Sequence, residues 1–124
     1  MSDSHRDLIA WQRAMELAAQ IYRTVETFPK RETYMMTMQL CGSAGSVASN
    51  IAEGKGRLSK KEYIQFLSKA RGSLLEVETR LELAERVGYI TTERFQQLFE
   101  QAAGVGRILN GLIRSVQRQV RDDI

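Results

Sequence analysis

Residues 33–52 read TYMMTMQLCGSAGSVASNIA, a run of twenty residues without a charged side chain in a chain that is 27% charged. The run is long enough to cross a bilayer. However, seven of its threonine, glutamine, serine and asparagine residues would carry polar groups into the hydrocarbon, so we do not expect a membrane span. The run instead predicts a helix that protein shields on nearly every side.

The single proline and the glycines separate the apolar patterns on either side of this run. The first helix is predicted over about 7–27, because its pattern stops at Phe28-Pro29. The second is predicted over about 31–53, because its pattern breaks at Gly54. The apolar stripe expected to face the core from the first helix is Leu8, Trp11, Met15, Ala18, Tyr22 and Val25.

Two helix starts are marked in the second half of the chain. Residues 59–62, Ser-Lys-Lys-Glu, form a capping-box pattern before a third helix over about 60–87. Thr91 can cap a fourth helix. Four amphipathic helices with short connections predict an all-α, up-down four-helix bundle. We expect a single domain over 1–124 with an ordered core of about 7–120.

The amino-acid content restricts the chemistry and the compartment. Cys41 is the only cysteine, which excludes an intramolecular disulfide and a cysteine-based zinc site. The N-terminal segment carries Asp3, His5, Arg6 and Asp7 and has no apolar signal core, so we expect a cytoplasmic protein. We expect this segment to be flexible.

Catalytic constellations are nearly absent. His5 is the only histidine, so neither a bundle-core di-iron site nor a serine triad can be assembled on the helices. Three glutamates of the third helix could hold Mg²⁺ for nucleotide hydrolysis, although arginines lie among them: Glu78, Glu82 and Glu85. A solvated, paired helix face explains these glutamates better. We therefore expect that the protein is not an enzyme and that it binds no cofactor or metal.

Two helices carry more uncharged surface than one bundle needs. The third has a second stripe away from its core: Ile64, Ser68, Gly72, Leu75, Thr79 and Leu83. The second presents Met35, Met38, Gly42, Gly45, Ser49 and Ala52 in the same way, unless it is simply the central helix. An uncharged second face predicts a homo-oligomer whose interface includes Ile64, Gly72, Leu75 and Leu83.

The basic residues are clustered. Residues 55–71 hold six basic residues and one acidic residue, although the net charge of the whole chain is only +3. Arginines of the fourth helix recur on one face, and arginine is suited to phosphate. A solvated face would also explain them, but repeated in an oligomer they favour RNA or DNA as the partner. The expected contact residues are Lys55, Arg57, Lys60, Lys61, Arg107, Arg114, Arg118 and Arg121.

Glu53 occupies an unfavourable position. It lies in the last turn of the second helix, where the helix dipole disfavours negative charge. A cation should compensate it, and the candidates are Arg57, Lys55 and Arg71. We expect Asn50, Glu53 and Gly54 to form a structural motif that orders the loop at 54–59; direct ligand contact is the alternative.

The motif at 50–54, together with motifs elsewhere along the chain, resembles the pattern of a known family. The resemblance rests on Leu8-x-x-Trp11, Phe28-Pro29, Ser46-x-x-Ser49-Asn50-Ile51-Ala52-Glu53-Gly54-x-x-Arg57, Phe66-Leu67, Gly72-Ser73-x-x-Glu76 and Gly88-Tyr89-Ile90, across about residues 8–115. It is similar to the bacterial proteins encoded inside 23S rRNA intervening sequences. The family is also similar to the accessory protein of diversity-generating retroelements, which binds nucleic acid through a basic surface.

The resemblance implies a non-enzymatic four-helix bundle that assembles into a pentamer. Many relatives carry arginines where this chain has Cys41 and Gly42, so any nucleic-acid contact made there is missing here. Nucleic-acid binding is the leading hypothesis for function. A scaffold that binds another protein is the alternative, and a Mg²⁺-dependent nucleotide hydrolase is third.

Overall fold

The structure, a computed structural model, describes residues 4–123 and contains four long helices. They are α1 (Ile9–Thr24), α2 (Met38–Lys55), α3 (Lys60–Arg86) and α4 (Thr92–Asp122). Helix α1 packs against α2 and α4, and α3 packs against the same two helices, so consecutive helices are neighbours. No strand occurs within 4–123. The predicted all-α, up-down four-helix bundle is confirmed.

Local side-chain chemistry fixes the helix ends. The Ser59 hydroxyl accepts a hydrogen bond from the Glu62 amide at 3.2 Å, and the Thr91 hydroxyl accepts from the Arg94 amide at 3.0 Å. Both caps are therefore confirmed. Helix α3 is followed by Gly88, whose φ of 83° is left-handed and favours glycine. This tight turn leads directly into α4.

The start of the second helix is irregular. A 3₁₀ turn (Lys30–Glu32) and a π turn (Thr33–Thr37) precede α2. The Glu32 carboxylate accepts from the Met36 amide at 3.4 Å and from the Tyr89 hydroxyl at 2.8 Å. This contact ties the π turn to the α3–α4 turn, so tertiary bonding determines a local geometry that the apolar pattern did not predict.

The buried face of α1 differs from the predicted stripe. It centres on Ala10, Ala14, Leu17 and Ile21, whereas Met15 and Tyr22 are exposed. The prediction was wrong for Met15 and Tyr22, whereas Ala18 and Val25 are buried as predicted and Leu8 and Trp11 pack against the core. Ala10 and Ala14 are buried instead, and their small side chains allow neighbouring helices to approach closely. The buried residues of α2, α3 and α4 recur at three- and four-residue spacing.

The N-terminal segment is also more ordered than expected. His5 begins a 3₁₀ turn (His5–Asp7), and its ring lies edge-on to the Trp11 ring with centroids 5.0 Å apart. His5 therefore has a defined position beside the bundle. The residues before Ser4 lie outside the described part of the chain.

Helix α2 is not shielded on nearly every side within one protomer. Met35 and Met38 are 61% and 57% exposed, and Gly42 is exposed as well. The expectation of a fully shielded helix is wrong for the protomer, because the four-helix arrangement leaves one side of each helix outward. Within 4–123, no helix is both long enough and apolar enough to cross a membrane.

Candidate nucleic-acid interface

One end of the bundle brings together segments that are far apart in sequence. The loop after α2, the first turn of α3 and the last turn of α4 meet there, because Lys60 Nζ lies 2.7 Å from Asp123 Oδ2. An open cavity of about 390 Å³ separates these segments, and Lys61, Leu58 and Val120 also line it. We call this region, residues 55–61 with the last turn of α4, the basic end.

Four arginines extend from the basic end along α4. All four are exposed: Arg107, Arg114, Arg118 and Arg121. Their spacing of seven, four and three residues places them on one face of the helix, about 21 Å from first to last. Within residues 4–123, no carboxylate lies within 4.0 Å of any of them. This arginine face therefore keeps its positive charge uncompensated by close ion pairs.

A repeated pattern accompanies two of these arginines. The Arg107 Nη2 atom lies 3.6 Å from the position that a Cβ at Gly104 would occupy, and Arg114 Nη2 lies 4.0 Å from the equivalent position at Gly111. Each glycine precedes its arginine by three residues, so the guanidinium lies back over the preceding turn. Gly-x-x-Arg at seven-residue spacing is a sequence signal that the sequence analysis missed.

The basic residues predicted in and next to the loop differ in whether they form ion pairs. Lys61 is exposed and Lys55 is half-buried, and neither has a carboxylate within 4.0 Å in the described chain. Lys60 pairs with Asp123, and Arg57 pairs with Glu53 at 3.0 Å. Six of the eight predicted contact residues are thus without a close ion pair in the described protomer.

Arg57 has a second partner. Its guanidinium carbon lies 4.4 Å from the centre of the Phe66 ring, and Lys69 Nζ lies 4.5 Å from the same centre. Phe66 therefore holds two cations by cation–π attraction. No aromatic residue was assigned to the basic segment from sequence, because this contact depends on the packing of the loop against α3.

The three residues of the predicted structural motif make different contacts. Glu53 pairs with Arg57, one of the three candidate cations, and both side chains are about half exposed. Asn50 Nδ2 donates to the carbonyl and hydroxyl oxygens of Ser46, at 2.8 and 3.0 Å, rather than to the loop. A Cβ at Gly54 would lie 2.9 Å from side-chain atoms of Tyr63 and Phe66, so close packing on α3 requires glycine.

A polar seam between α2 and α3 was missed by the sequence analysis. Ser43 donates to Glu76 at 3.3 Å and accepts from Arg80, while Ser73 donates to Ser46 at 3.0 Å. The signal lay in the serines of the uncharged run, which form hydrogen bonds with polar side chains of α3. The seam fixes the register of α2 on α3.

The residues predicted for the oligomer interface lie on one outward side. Leu75 and Leu83 are 60% and 48% exposed, Gly72 is exposed, and Ile64 is half-buried. A Cβ at Gly72, Gly42 or Gly45 would meet no atom within 4 Å. The packing of one protomer therefore does not require glycine there. We call Met35 of the π turn, Met38, Gly42 and Gly45 of α2, and these four residues of α3 the outer face.

The glutamates of α3 do not form a metal site. Within 4–123, no group of three His, Cys, Asp or Glu side chains could hold a metal ion. Glu85 accepts a hydrogen bond from Thr92 at 3.0 Å, and partial burial raises the pKa of Glu78. The hydrolase hypothesis therefore has no assembled ligand set to support it.

The other end of the bundle contains a cavity of about 400 Å³. Arg94 there donates to Thr24 and Gln20 of α1, both at 3.0 Å, and to Gln97 at 3.1 Å. These bonds connect α1 to α4. The guanidinium is largely occupied by neutral acceptors, which favours a structural role.

Comparison with known proteins explains the combination of fold and motifs. The family model described as 23S rRNA-intervening sequence protein matches residues 6–111. The chain belongs to this family. The predicted resemblance is therefore confirmed, and the match includes α1, α2, α3 and most of α4.

A crystal structure of another protein shows a similar fold. It is of a protein of unknown function from the S23 ribosomal protein family of Bacteroides thetaiotaomicron. The two chains are 25% identical with a TM-score of 0.76, and the match covers 85% of this chain and 98% of that chain. No curated protein matches the chain.

Cys41 and Gly42 mark where this member departs from the arginines expected in many relatives of the family. Burial raises the pKa of the Cys41 thiol. Gly42 lies on the outer face. Neither residue supplies positive charge at this position.

Proposed function

We propose that the protein is a non-enzymatic, homo-oligomeric nucleic-acid-binding protein of the bacterial cytoplasm, acting through the basic end and the arginine face. The observation that carries the proposal is the row of four exposed arginines without close carboxylates, which continues into Lys61 at the end of the bundle. Phosphates would replace the counterions of these groups, and the released ions would favour binding.

The outer face supports the homo-oligomeric part of the proposal. Exposed leucines and methionines lie beside glycines at which an added Cβ would meet no atom of the protomer within 4 Å. A second copy would bury the apolar side chains, and the glycines would allow close helix approach. The pentamer is implied by the family resemblance. Repeating the arginine face in each subunit would strengthen binding through effective concentration.

The test compares charge reversal with a charge-neutral change on the same helix. Labelled single-stranded and duplex RNA and DNA are titrated at low salt with wild type, with Arg114→Glu/Arg118→Glu, and with Gln117→Ala/Gln119→Ala. We expect the arginine variant to bind about 100-fold more weakly and the glutamine variant to match wild type. Circular dichroism checks that both variants fold.

Two results would reject nucleic-acid binding through the arginine face. One is no measurable binding of wild type at low salt. The other is equal affinity of wild type and the arginine variant. In either case the exposed outer face would favour the alternative function, a scaffold that binds another protein. Light scattering of wild type at micromolar concentration tests the oligomer separately, and a monomer would reject that part.

A further inference from the structure

A second feature of the basic end is an open cleft of about 570 Å³ beside the last turns of α2. Its lining residues are His5, Ser49, Ala52, Glu53, Gly56 and Arg57. We propose that this cleft binds one unpaired guanine base of the nucleic acid. The inference rests on the proposed function and adds a specificity site to it. None of the four α3 residues of the outer face lines the cleft.

Arg57 supplies one wall of the cleft. Two contacts hold its guanidinium: the Phe66 ring centre at 4.4 Å and the Glu53 carboxylate at 3.0 Å. The side chain is still 40% exposed. Guanidinium planes are established stacking partners for splayed-out bases in RNA recognition. Since Arg57 is already fixed, binding a base would cost little side-chain entropy.

His5 contributes a second planar group. Its imidazole is held edge-on to Trp11, with ring centroids 5.0 Å apart, and Trp11 packs against the core. The cleft therefore has flat, anchored side chains from two different segments. Planar groups of this kind favour a heterocyclic base over a flexible aliphatic ligand.

Small residues keep the cleft open. Ala52 and Gly56 line it, and a Cβ at Gly56 would lie 3.6 Å from the Glu53 carbonyl oxygen, an ordinary van der Waals contact. The φ of Gly56 is −80°, a value that any residue can adopt. Neither steric contact nor backbone conformation thus requires glycine at 56. A larger side chain there would fill the cleft without straining the fold.

Glu53 supplies the hydrogen-bond acceptors for the edge of the base. One carboxylate oxygen pairs with Arg57, and the other accepts no hydrogen bond within the described residues. Guanine presents two adjacent N–H donors on its Watson–Crick edge, which match the two oxygens of a carboxylate. Adenine presents one donor beside an acceptor that a carboxylate would repel. The cleft therefore favours guanine.

The experiment uses labelled RNA hairpins that are identical except for one unpaired loop nucleotide, which is G, A or U. Salt concentration is the same throughout. We expect wild type to bind the G hairpin about tenfold more tightly than the A hairpin. Glu53→Gln should reduce this ratio to near one. Gly56→Leu should weaken binding of all three hairpins to the level of a fully paired duplex.

Glu62→Gln is the matched control. Glu62 is exposed, lies in the same basic segment and has no ion pair in the described chain, so its substitution makes the same change in charge outside the cleft. It should preserve the G-to-A ratio. Thermal melting verifies that each variant folds. If Glu53→Gln does not fold, Gly56→Leu still tests the cleft.

The outcomes separate this inference from the proposed function. Equal, salt-dependent binding of the three hairpins would overturn the guanine cleft and leave phosphate binding intact. An equal effect of Glu53→Gln and Glu62→Gln on the ratio would also overturn it. Absence of binding to any hairpin at low salt would overturn both proposals.

Discussion

The outer face and the arginine face are the two long surfaces that the bundle leaves open, and they differ in chemistry. The outer face combines exposed leucines and methionines with glycines at which an added Cβ would meet no atom within 4 Å. The arginine face carries four exposed guanidinium groups without close carboxylates in the described chain. Association through the first would remove apolar surface from water, whereas association through the second would release counterions. Salt should therefore act on the two in different ways.

The largest expected effect is that of salt on nucleic-acid binding. If the six unpaired basic residues each contact a phosphate, affinity should fall by roughly 10³-fold between 50 and 200 mM salt. The mass of the oligomer should not change over the same range. Fluorescence anisotropy measures the first and light scattering the second. If rising salt dissociated the oligomer in parallel with the loss of binding, the two faces would not act independently.

Gly72→Leu should act on the outer face alone. A Cβ at Gly72 meets nothing within 4 Å, so the protomer should fold normally. In a close contact between copies, the added side chain would overpack the interface and cost about 1 to 3 kcal/mol per site. Analytical ultracentrifugation should show a smaller species. Gln117→Leu adds the same side chain to exposed α4 and should keep the wild-type mass; an unchanged mass for both variants would contradict the assignment.

Lys60 and Lys61 test whether a close ion pair reduces the contribution of a lysine to nucleic-acid binding. Asp123 partly compensates Lys60, whereas Lys61 has no close carboxylate in the described chain. Lys61→Glu should therefore weaken nucleic-acid binding by about tenfold, and Lys60→Glu by about threefold. Filter binding at one low salt concentration measures both. The reverse order would show that close ion pairs do not determine which cations bind phosphate.

The smallest expected effect is that of Glu53→Gln on stability. The Glu53–Arg57 pair is exposed to solvent, so breaking it should cost less than about 1 kcal/mol in the free energy of unfolding. Urea denaturation measures this value. A loss of 2 kcal/mol or more would mean that the pair is desolvated, for example by a second copy at the basic end.

Features encoded by neighbouring residues could be predicted from sequence. The caps at Ser59 and Thr91 depend on one side chain and an amide three residues away, and both form. The irregular start of the second helix could not be predicted, because it depends on the bond between Tyr89 and Glu32. The core of α1 was misassigned at Met15 and Tyr22, because periodicity alone does not distinguish them from their buried neighbours Ala14 and Ile21.

The same distinction applies to the candidate interface. Helical spacing was sufficient to place the four arginines on one exposed face of α4. Spacing could not show that Lys60 meets Asp123, that Arg57 lies on Phe66, or that His5 borders the end of α2. Each of these contacts joins segments that are brought together only by packing. The guanine cleft was therefore not visible in the sequence.

The length of α3 has an electrostatic consequence. Its 27 residues span about 40 Å between the basic end and the turn at Gly88. At physiological ionic strength the Debye length is about 8 Å, so the fields of exposed charges at one end are screened before they reach the other. Arg94 and the cavity beside it are thus electrically independent of the phosphate-binding surface proposed for the basic end. Any communication between the two ends would have to travel through helix packing.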